Sequence, residues 1–415
     1  MKRPGHPHYG SSQGCDVESN NPVTDWLIDY DIYDENFAEN PYIIFEELRK
    51  RCTFATTERW SGSIMPVHFD SISEVARDHE RFSSREVNVI PRGTTTSMLL
   101  PRGLQPIEVD PPLHAELRRL IQSWFAPAHI DSLEPFTRAT CRELIATFLA
   151  LGTIDAAEAY ARQIPLRVTS KMLGIPHEAA DAFSDAVGNR APGDPRRSKA
   201  LRDMYDRFVE EISRREATPT RDIISEVLRS TISGRPLDRD DAMGMIVLML
   251  SAGVDTTWSS IGSSLWHLAT HPSDRVRLLE DPTLMTGAVE EFLRAYSPVT
   301  MARITTRDTD IGGCPVSAGT RVVLSFPAAN RDPVAFSDPD RIDFQRANNR
   351  HLAFGAGIHR CAGANLARME IRVALEEWLA AIPDFAIDPA GRVTWSTGQV
   401  RGPRSLPLAF TVTHG

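Results

Sequence analysis

The sequence predicts a mainly α-helical protein with a smaller β part, folded as a single domain. Three observations carry this. Apolar residues recur at helical spacing over five long stretches, β-type runs are short and few, and no Pro/Gly/Ser-rich linker divides the 415 residues. With 41% hydrophobic and 24% charged residues, the chain has enough apolar side chains for a sizeable core.

In chain order, the first twenty or so residues, with Pro4, Gly5, Pro7, Gly10, Ser11, Ser12 and Gly14, lack periodicity. Residues 1–25 are therefore expected to be a flexible segment, and 26–415 the domain. Helices are predicted over Tyr42 to Arg51, Ile130 to Leu151, Lys199 to Arg215, Asp240 to Thr270 and Leu284 to Tyr296. Strands are predicted around Ile64 to His68, Thr320 to Leu324 and Leu406 to Thr413, where Pro- and Gly-rich loops bound the apolar runs. Between Ser84 and Ile107, Pro91, Gly93, Pro101, Gly103 and Pro106 break any periodicity, giving a long loop of the kind that serves a binding site. The Asp240 to Thr270 helix would run roughly eight to nine turns. Its centre, Met245 to Val254, is apolar on nearly every face, so it belongs in the interior.

The formal net charge of −9 speaks against a nucleic-acid or membrane-surface partner, since both require a basic face. The nearly apolar stretch Met243 to Val254 is too short to span a bilayer and no signal sequence opens the chain, so a cytoplasmic protein is expected. Cys15, Cys52, Cys141, Cys314 and Cys361 form an odd set without C-x-x-C spacing, which suggests neither a disulfide framework nor a zinc site.

One cysteine stands apart from the usual buried, inert kind. In Phe354-Gly355-Ala356-Gly357-Ile358-His359-Arg360-Cys361-Ala362-Gly363, the early glycines permit a tight loop close to a flat ligand. Cys361 then falls at the start of a helix, where free amides and the positive dipole end favour a thiolate. The run resembles the haem-binding signature of the cytochrome P450 family at the Phe, both early Gly, the basic residue two before Cys, the Cys and the Gly two after it. That resemblance implies a haem b with Cys361 as its iron ligand, whose sulfur pushes electron density toward the metal. Ala252, Phe354, Gly355 and Gly363 would lie against it. No C-x-x-C-H is present, so the haem is expected to be held without covalent attachment.

Further motifs fall in the family's order. Glu291-Phe292-Leu293-Arg294 is a Glu-x-x-Arg on a helix, and Pro339-Asp340-Arg341-Ile342 resembles the segment that completes it, so Glu291, Arg294 and Arg341 are expected to form a buried structural triad. Ala252-Gly253-Val254-Asp255-Thr256-Thr257 interrupts the apolar helix; the Thr256 hydroxyl is able to bond the Ala252 carbonyl four residues back and, with Gly253, loosen the helix. This resembles the family's oxygen-activation motif, which implies a proton relay through Asp255 and Thr256. His114 and Arg118, four apart on a helix beginning after Asp110-Pro111-Pro112, project from one face. By resemblance they, Arg303 and His359 hold the haem propionates, for which arginine is well shaped. Leu113 departs from the acidic residue common there.

The resemblance, running from about Asp31 to Leu408, implies a fold enclosing one haem and a monooxygenase that activates O₂ and inserts one oxygen atom into a small or medium organic substrate. Electrons would come from NAD(P)H through an external ferredoxin and ferredoxin reductase, because no flavin or iron–sulfur domain is present. Two alternatives are a peroxide-using haem enzyme of the same fold, disfavoured by the intact Asp255-Thr256 pair, and a haem-based gas sensor or carrier. Pocket-lining candidates by resemblance are Asn88 to Leu100, Met249, Ala252, Val299 to Met301 and Ser396 to Val400, with Trp395 and Phe183 as candidate core residues. Arg346, Arg350, Arg360, Arg368 and Arg372, set against only Glu370 and joined by Arg119, form an expected basic platform for an acidic ferredoxin.

Overall fold

The computed structural model describes residues 21–91, 98–178 and 195–411. Residues 1–20 of the predicted flexible segment 1–25, Phe183 and the loop residues 92–97 lie outside them.

Local chemistry sets the helix boundaries. Asn40 caps the helix Pro41–Arg51, its side chain accepting from the Tyr42 N–H at 3.3 Å, with Pro41 at the first helical position. Asp238 caps the central helix, Arg239–Thr270, accepting from the Asp240 N–H at 2.9 Å, and Asp240 and Asp241 complement the dipole of the first turn. This helix is long and apolar enough to cross a membrane, yet 67% of its most apolar window is buried inside the protein. Two of its buried serines bond the helix's own carbonyls: Ser260 Oγ to Thr256 O at 2.9 Å and Ser264 Oγ to Ser260 O at 2.8 Å. Gly253 and Gly262 let neighbours close in, because a Cβ would lie 3.0 Å from Thr169 Oγ1 and 3.3 Å from Pro403 respectively. Gly253, expected to loosen the helix, instead admits Thr169, and the helix runs unbroken.

Helices Pro127–Phe148, Gln163–Leu173, Met285–Ala295 and Ala364–Ala381 surround the central one. Their shared core includes Trp378, fully buried with its ring 5.0 Å from Tyr160 and 5.6 Å from Phe385. A second apolar cluster joins the N-terminal helices to a sheet, and a third surrounds the first half of the central helix.

The strands are β1 (Phe54–Thr57), β2 (Ser63–Pro66), β3 (Phe82–Ser83), β4 (Thr153–Asp155), β5 (Thr231–Ile232), β6 (Arg235–Pro236), β7 (Thr300–Thr305), β8 (Thr309–Ile311), β9 (Cys314–Val316), β10 (Arg321–Ser325), β11 (Phe385–Ile387), β12 (Thr394–Trp395), β13 (Pro403–Ser405) and β14 (Pro407–Phe410). Five form the main sheet in the order β1-β2-β10-β7-β3, and β11-β14-β4 form a smaller one. The predicted strand Leu406 to Thr413 is thus observed mainly as β14, next to β13, and the two strands serve different sheets. The fold is mainly helical with a small β part, in one domain.

Candidate functional site

Three segments meet between the central helix and the loop before Ala364–Ala381. In that loop Gly355 and Gly357 adopt φ of 66° and 70°, and a Cβ on Gly357 would sit 2.8 Å from the Ala76 carbonyl oxygen. The loop closes where the Cys361 N–H donates to the Phe354 carbonyl at 2.9 Å. Cys361 itself precedes the first helical residue by three positions, slightly before the helix start expected for it. Cys361 is exposed, yet the protein packed around it pushes its thiol up by desolvation, while the Gly363 N–H and then the Arg118, Arg360 and Arg368 cations pull it down. The Phe354 ring lies 4.5 Å from the Arg368 guanidinium, and Arg368 bonds Glu290 at 2.5 Å. Against its own burial, Glu290 is held down to about 2 by Arg368 and His351.

Beside this loop, four basic side chains converge. The His114 and His359 rings stand 4.3 Å apart, and each has a buried Nε2 with no hydrogen-bond partner. Burial drives His359 down to about 2, with Arg303, His114 and Arg118 adding to the shift, and burial likewise lowers His114. Arg303 is 4% exposed, is lowered to about 10 by burial, and its side chain makes one hydrogen bond among the described residues, from Nη1 to the Ala302 carbonyl at 2.8 Å. Arg118 Nη2 donates to the Arg360 carbonyl at 2.5 Å, which ties the helix Leu113–Gln122 to the cysteine loop. Such a cluster, with buried donors left over and no carboxylate bonding Arg303 among the described residues, fits an anionic ligand. A group bearing two carboxylates and a metal that takes a thiolate would fit this donor set together with Cys361.

On the central helix, Ala252 is exposed although it lies in the middle of a largely buried helix, so it faces open space. Thr256 Oγ1 donates to the Ala252 carbonyl at 2.7 Å, as its spacing predicts. Asp255 turns elsewhere. Its Oδ1 accepts from Arg404 Nη2 at 2.5 Å, and Arg404 also donates to Ser259 Oγ at 3.0 Å and stacks 4.1 Å over Trp258. Burial pushes Asp255 up and Arg404 opposes it. Predicted pocket segments are brought together where Val299 pairs with Val400. Met249 is not among them: it is buried in the apolar cluster, and half-buried Leu248, one turn before Ala252, takes its place on the open face.

Two readings of charge need correction. Glu291 and Arg294 are fully buried and bonded at 2.7 Å, but the second cation is Arg346, whose Nε lies 3.0 Å from Glu291; Arg341 is exposed and contributes only its backbone carbonyl. The basic platform is also smaller than the sequence suggests. Arg368 is paired with Glu290, and Arg372 with Glu134 at 2.5 Å, while Arg119, Arg350 and Arg360 remain exposed. Glu370 is no surface acid. It is 1% exposed, burial pushes it up to about 8 against a bond from Thr257, and its Oε1 has no partner. A helical count finds it, because Leu366, Glu370, Val373, Ala374 and Glu377 share one buried face.

The family model "Cytochrome P450" matches residues 274–381. The chain is 32% identical to vitamin D(3) 25-hydroxylase of Pseudonocardia autotrophica over 365 residues, covering 86% of this chain and 90% of that one. To the cytochrome P450 monooxygenase PikC of Streptomyces venezuelae it is 32% identical over 397 residues, 92% and 94% of the two chains. Its backbone superposes on that of cytochrome P450 CYP109Q5 from Chondromyces apiculatus with a TM-score of 0.84 at 32% identity, covering 93% and 99%. With CYP109E1 from Bacillus megaterium, solved in complex with testosterone, the TM-score is 0.83 at 29% identity over 91% and 100%. Fold, cysteine loop and relatives together make the chain a member of the cytochrome P450 family, a haem-thiolate monooxygenase of the bacterial type.

Proposed function

We propose that Cys361 is the axial ligand of a non-covalent haem b and that the protein inserts one oxygen atom of O₂ into a small or medium organic molecule. The observation that carries this reading is the pairing of Cys361 with the His114, Arg118, Arg303 and His359 cluster, two complementary donor sets on one site. Bound there, the haem supplies the iron that activates oxygen. The protein's own part is positional. His114 and His359 would offer their free Nε2 atoms, and Arg118 and Arg303 their charge, to the propionates. Phe354, Gly355, Gly363 and Ala252 would pack on the two faces of the ring, the glycines admitting close backbone approach.

Thr256 and Asp255 serve the protons. The Thr256 hydroxyl donates to Ala252 O, so its lone pairs stay free to accept from a water, and Asp255 titrates behind it while paired with Arg404. Electrons reach the site from NAD(P)H through a ferredoxin and its reductase in the cytoplasm, and Arg119, Arg350 and Arg360 are the exposed charges suited to an acidic donor. Relatives that hydroxylate vitamin D(3) or bind testosterone support a substrate of moderate size. The test is Thr256→Ala: cofactor and ligand binding stay intact while product per NAD(P)H falls several-fold and peroxide rises. Unchanged coupling would reduce Asp255 and Thr256 to shaping the helix.

A further inference from the structure

Beside the C-terminal end of the central helix lies a buried pair that the proton and electron routes above do not use. His267, 1% exposed, sits in the last turn of that helix, and Tyr296, 8% exposed, ends the helix Met285–Ala295. Tyr296 Oη and His267 Nδ1 are 2.7 Å apart, and His267 Nε2 is 2.9 Å from Asp274 Oδ2. The Asp274 carboxylate also accepts from Arg277 at 3.0 Å and has no proton to give, so Nε2 carries the ring hydrogen and donates. Nδ1 is then a free lone pair, and the Tyr296 hydroxyl is the donor to it. A buried tyrosine that satisfies its hydroxyl is ordinary. One that satisfies it on a base, itself oriented by a carboxylate, is set up to lose its proton.

Two indoles join this pair to the surface. The Trp266 ring is 5.8 Å from that of Tyr296 and 5.3 Å from that of Trp395, and both tryptophans are half-buried where Tyr296 and His267 are enclosed. In the other direction lies the reaction site. Three residues after Tyr296, Val299 pairs with Val400, and the Thr300 N–H donates to the Gln399 carbonyl at 2.8 Å, where the predicted pocket segments meet. Three residues span at most about 11 Å, so the Tyr296 backbone is no farther than that from the pocket wall.

Removing an electron from a phenol makes it a strong acid, and its proton has to leave for the radical to persist. In an enclosed site that demands a neutral base in contact. Burial holds His267 down to about 4 against the pull of Asp274, which keeps it unprotonated at rest. Once the proton has moved, Asp274 and the negative end of the helix dipole face the new imidazolium. The Arg331 guanidinium, 5.6 Å from the Tyr296 ring, disfavours positive charge on the phenol, so a neutral radical with its proton on His267 is the form these surroundings favour.

We infer that Tyr296 is a redox-active tyrosine, with His267 as its proton acceptor and Trp266 and Trp395 as its contact with the surface, and that it takes an oxidising equivalent out of the reaction site when oxygen is activated without substrate. In this step the activated oxygen gains one electron from Tyr296, the phenolic proton passes to His267 Nδ1, and a neutral phenoxyl radical remains. A one-electron reductant outside the protein, such as a thiolate, returns the electron through Trp395 and Trp266, and the proton goes back to the phenol. The inference rests on the reading that the pocket of this oxygen-activating enzyme lies at Val299 and Val400.

Pulse radiolysis tests the relay without reference to catalysis. Azide radicals take single electrons from accessible rings, and in the parent an indole radical signal should decay as a tyrosyl signal rises. The chain has seven Trp and seven Tyr, so comparison with variants carries the test. Tyr296→Phe should remove most of the tyrosyl rise. His267→Gln, whose amide still accepts the phenol hydrogen bond but is no base, should slow it about ten-fold, and Trp266→Phe should slow it similarly with the pair intact. A rise unchanged in Tyr296→Phe overturns the assignment, one unchanged in His267→Gln overturns the proton acceptor, and one unchanged in Trp266→Phe overturns the path; if one variant fails to fold, the others remain decisive. The holoenzyme mixed with hydrogen peroxide, without substrate, and rapidly frozen should show a tyrosyl radical by electron paramagnetic resonance that Tyr296→Phe lacks, and haem absorbance should bleach several-fold faster in that variant. A parent without this radical overturns the link to the reaction site. Loss of the haem-thiolate spectrum would instead refute the cofactor reading, on which the radiolysis does not depend.

Discussion

Replacing Arg346 by alanine removes one of two cations from a carboxylate that has no access to water. Glu291 is fully buried and accepts from Arg294 Nε and Nη2 at 2.8 and 2.7 Å, from Arg346 Nε at 3.0 Å, from the Asp343 N–H at 3.0 Å and from Asn349 Nδ2 at 3.2 Å. Arg346 also donates to the Ser337 and Arg341 carbonyls at 2.7 and 2.9 Å, so its loss unties the chain from Ser337 to Arg346 that the carboxylate gathers. Breaking a buried pair by removing one partner costs about 3–5 kcal/mol. An unfolding entropy of about 2.1 cal/mol/K per residue gives roughly 0.9 kcal/mol/K for a chain of this length, so the melting temperature should fall by about 3–6 °C. Arg341→Ala removes an exposed side chain and should shift it by under about 1 °C, within the ±0.5 kcal/mol usual for surface changes. The assay is thermal unfolding of both variants beside the parent, followed by circular dichroism, with haem content from absorbance. Equal damage from the two substitutions, or harm from Arg341→Ala alone, would refute the assignment of Arg346 as the second cation.

Two further predictions concern stability. Glu370 has a folded-state pKa pushed up to about 8 from 4.5 by burial, so its favourable contribution is complete below pH 4.5 and is lost as pH rises to about 8. Glu370→Gln should therefore match the parent near pH 4.5 and exceed it progressively toward pH 8, by at most about 5 kcal/mol; parallel profiles of melting temperature against pH would contradict this. Gly357→Ala combines a left-handed φ with a Cβ 2.8 Å from the Ala76 oxygen and should cost about 1–3 kcal/mol and lower haem retention. Gly355→Ala, whose nearest neighbour is Phe326 at 3.6 Å, should be milder in the same thermal scan.

What was legible in the sequence depended on how local its cause is. The cysteine loop could be read because its positive-φ glycines fall in one short run, and the central helix because its apolar run lies in one stretch. Arg341 and Arg346 could not be told apart, since the choice depends on the path of the chain through turns at Asp338 and Asp343. Asp255 carried no sign of Arg404, its partner 149 positions away in β13. Strands of two residues, such as β3 and β12, exist through pairing with distant segments rather than through their own composition. Glu370 was legible but misread, because counting charges along a segment ignores which helix face carries them.

The central claim is that Cys361 gives the iron its sulfur ligand. Its most direct test is the absorption spectrum of the reduced, CO-bound protein, recorded beside Cys361→Ser. The parent should show the long-wavelength band of thiolate-ligated haem. The serine variant should bind haem through the His114, Arg118, Arg303 and His359 cluster yet lack that band. A band that survives in Cys361→Ser would mean that another residue holds the iron, and the account of the site would fail.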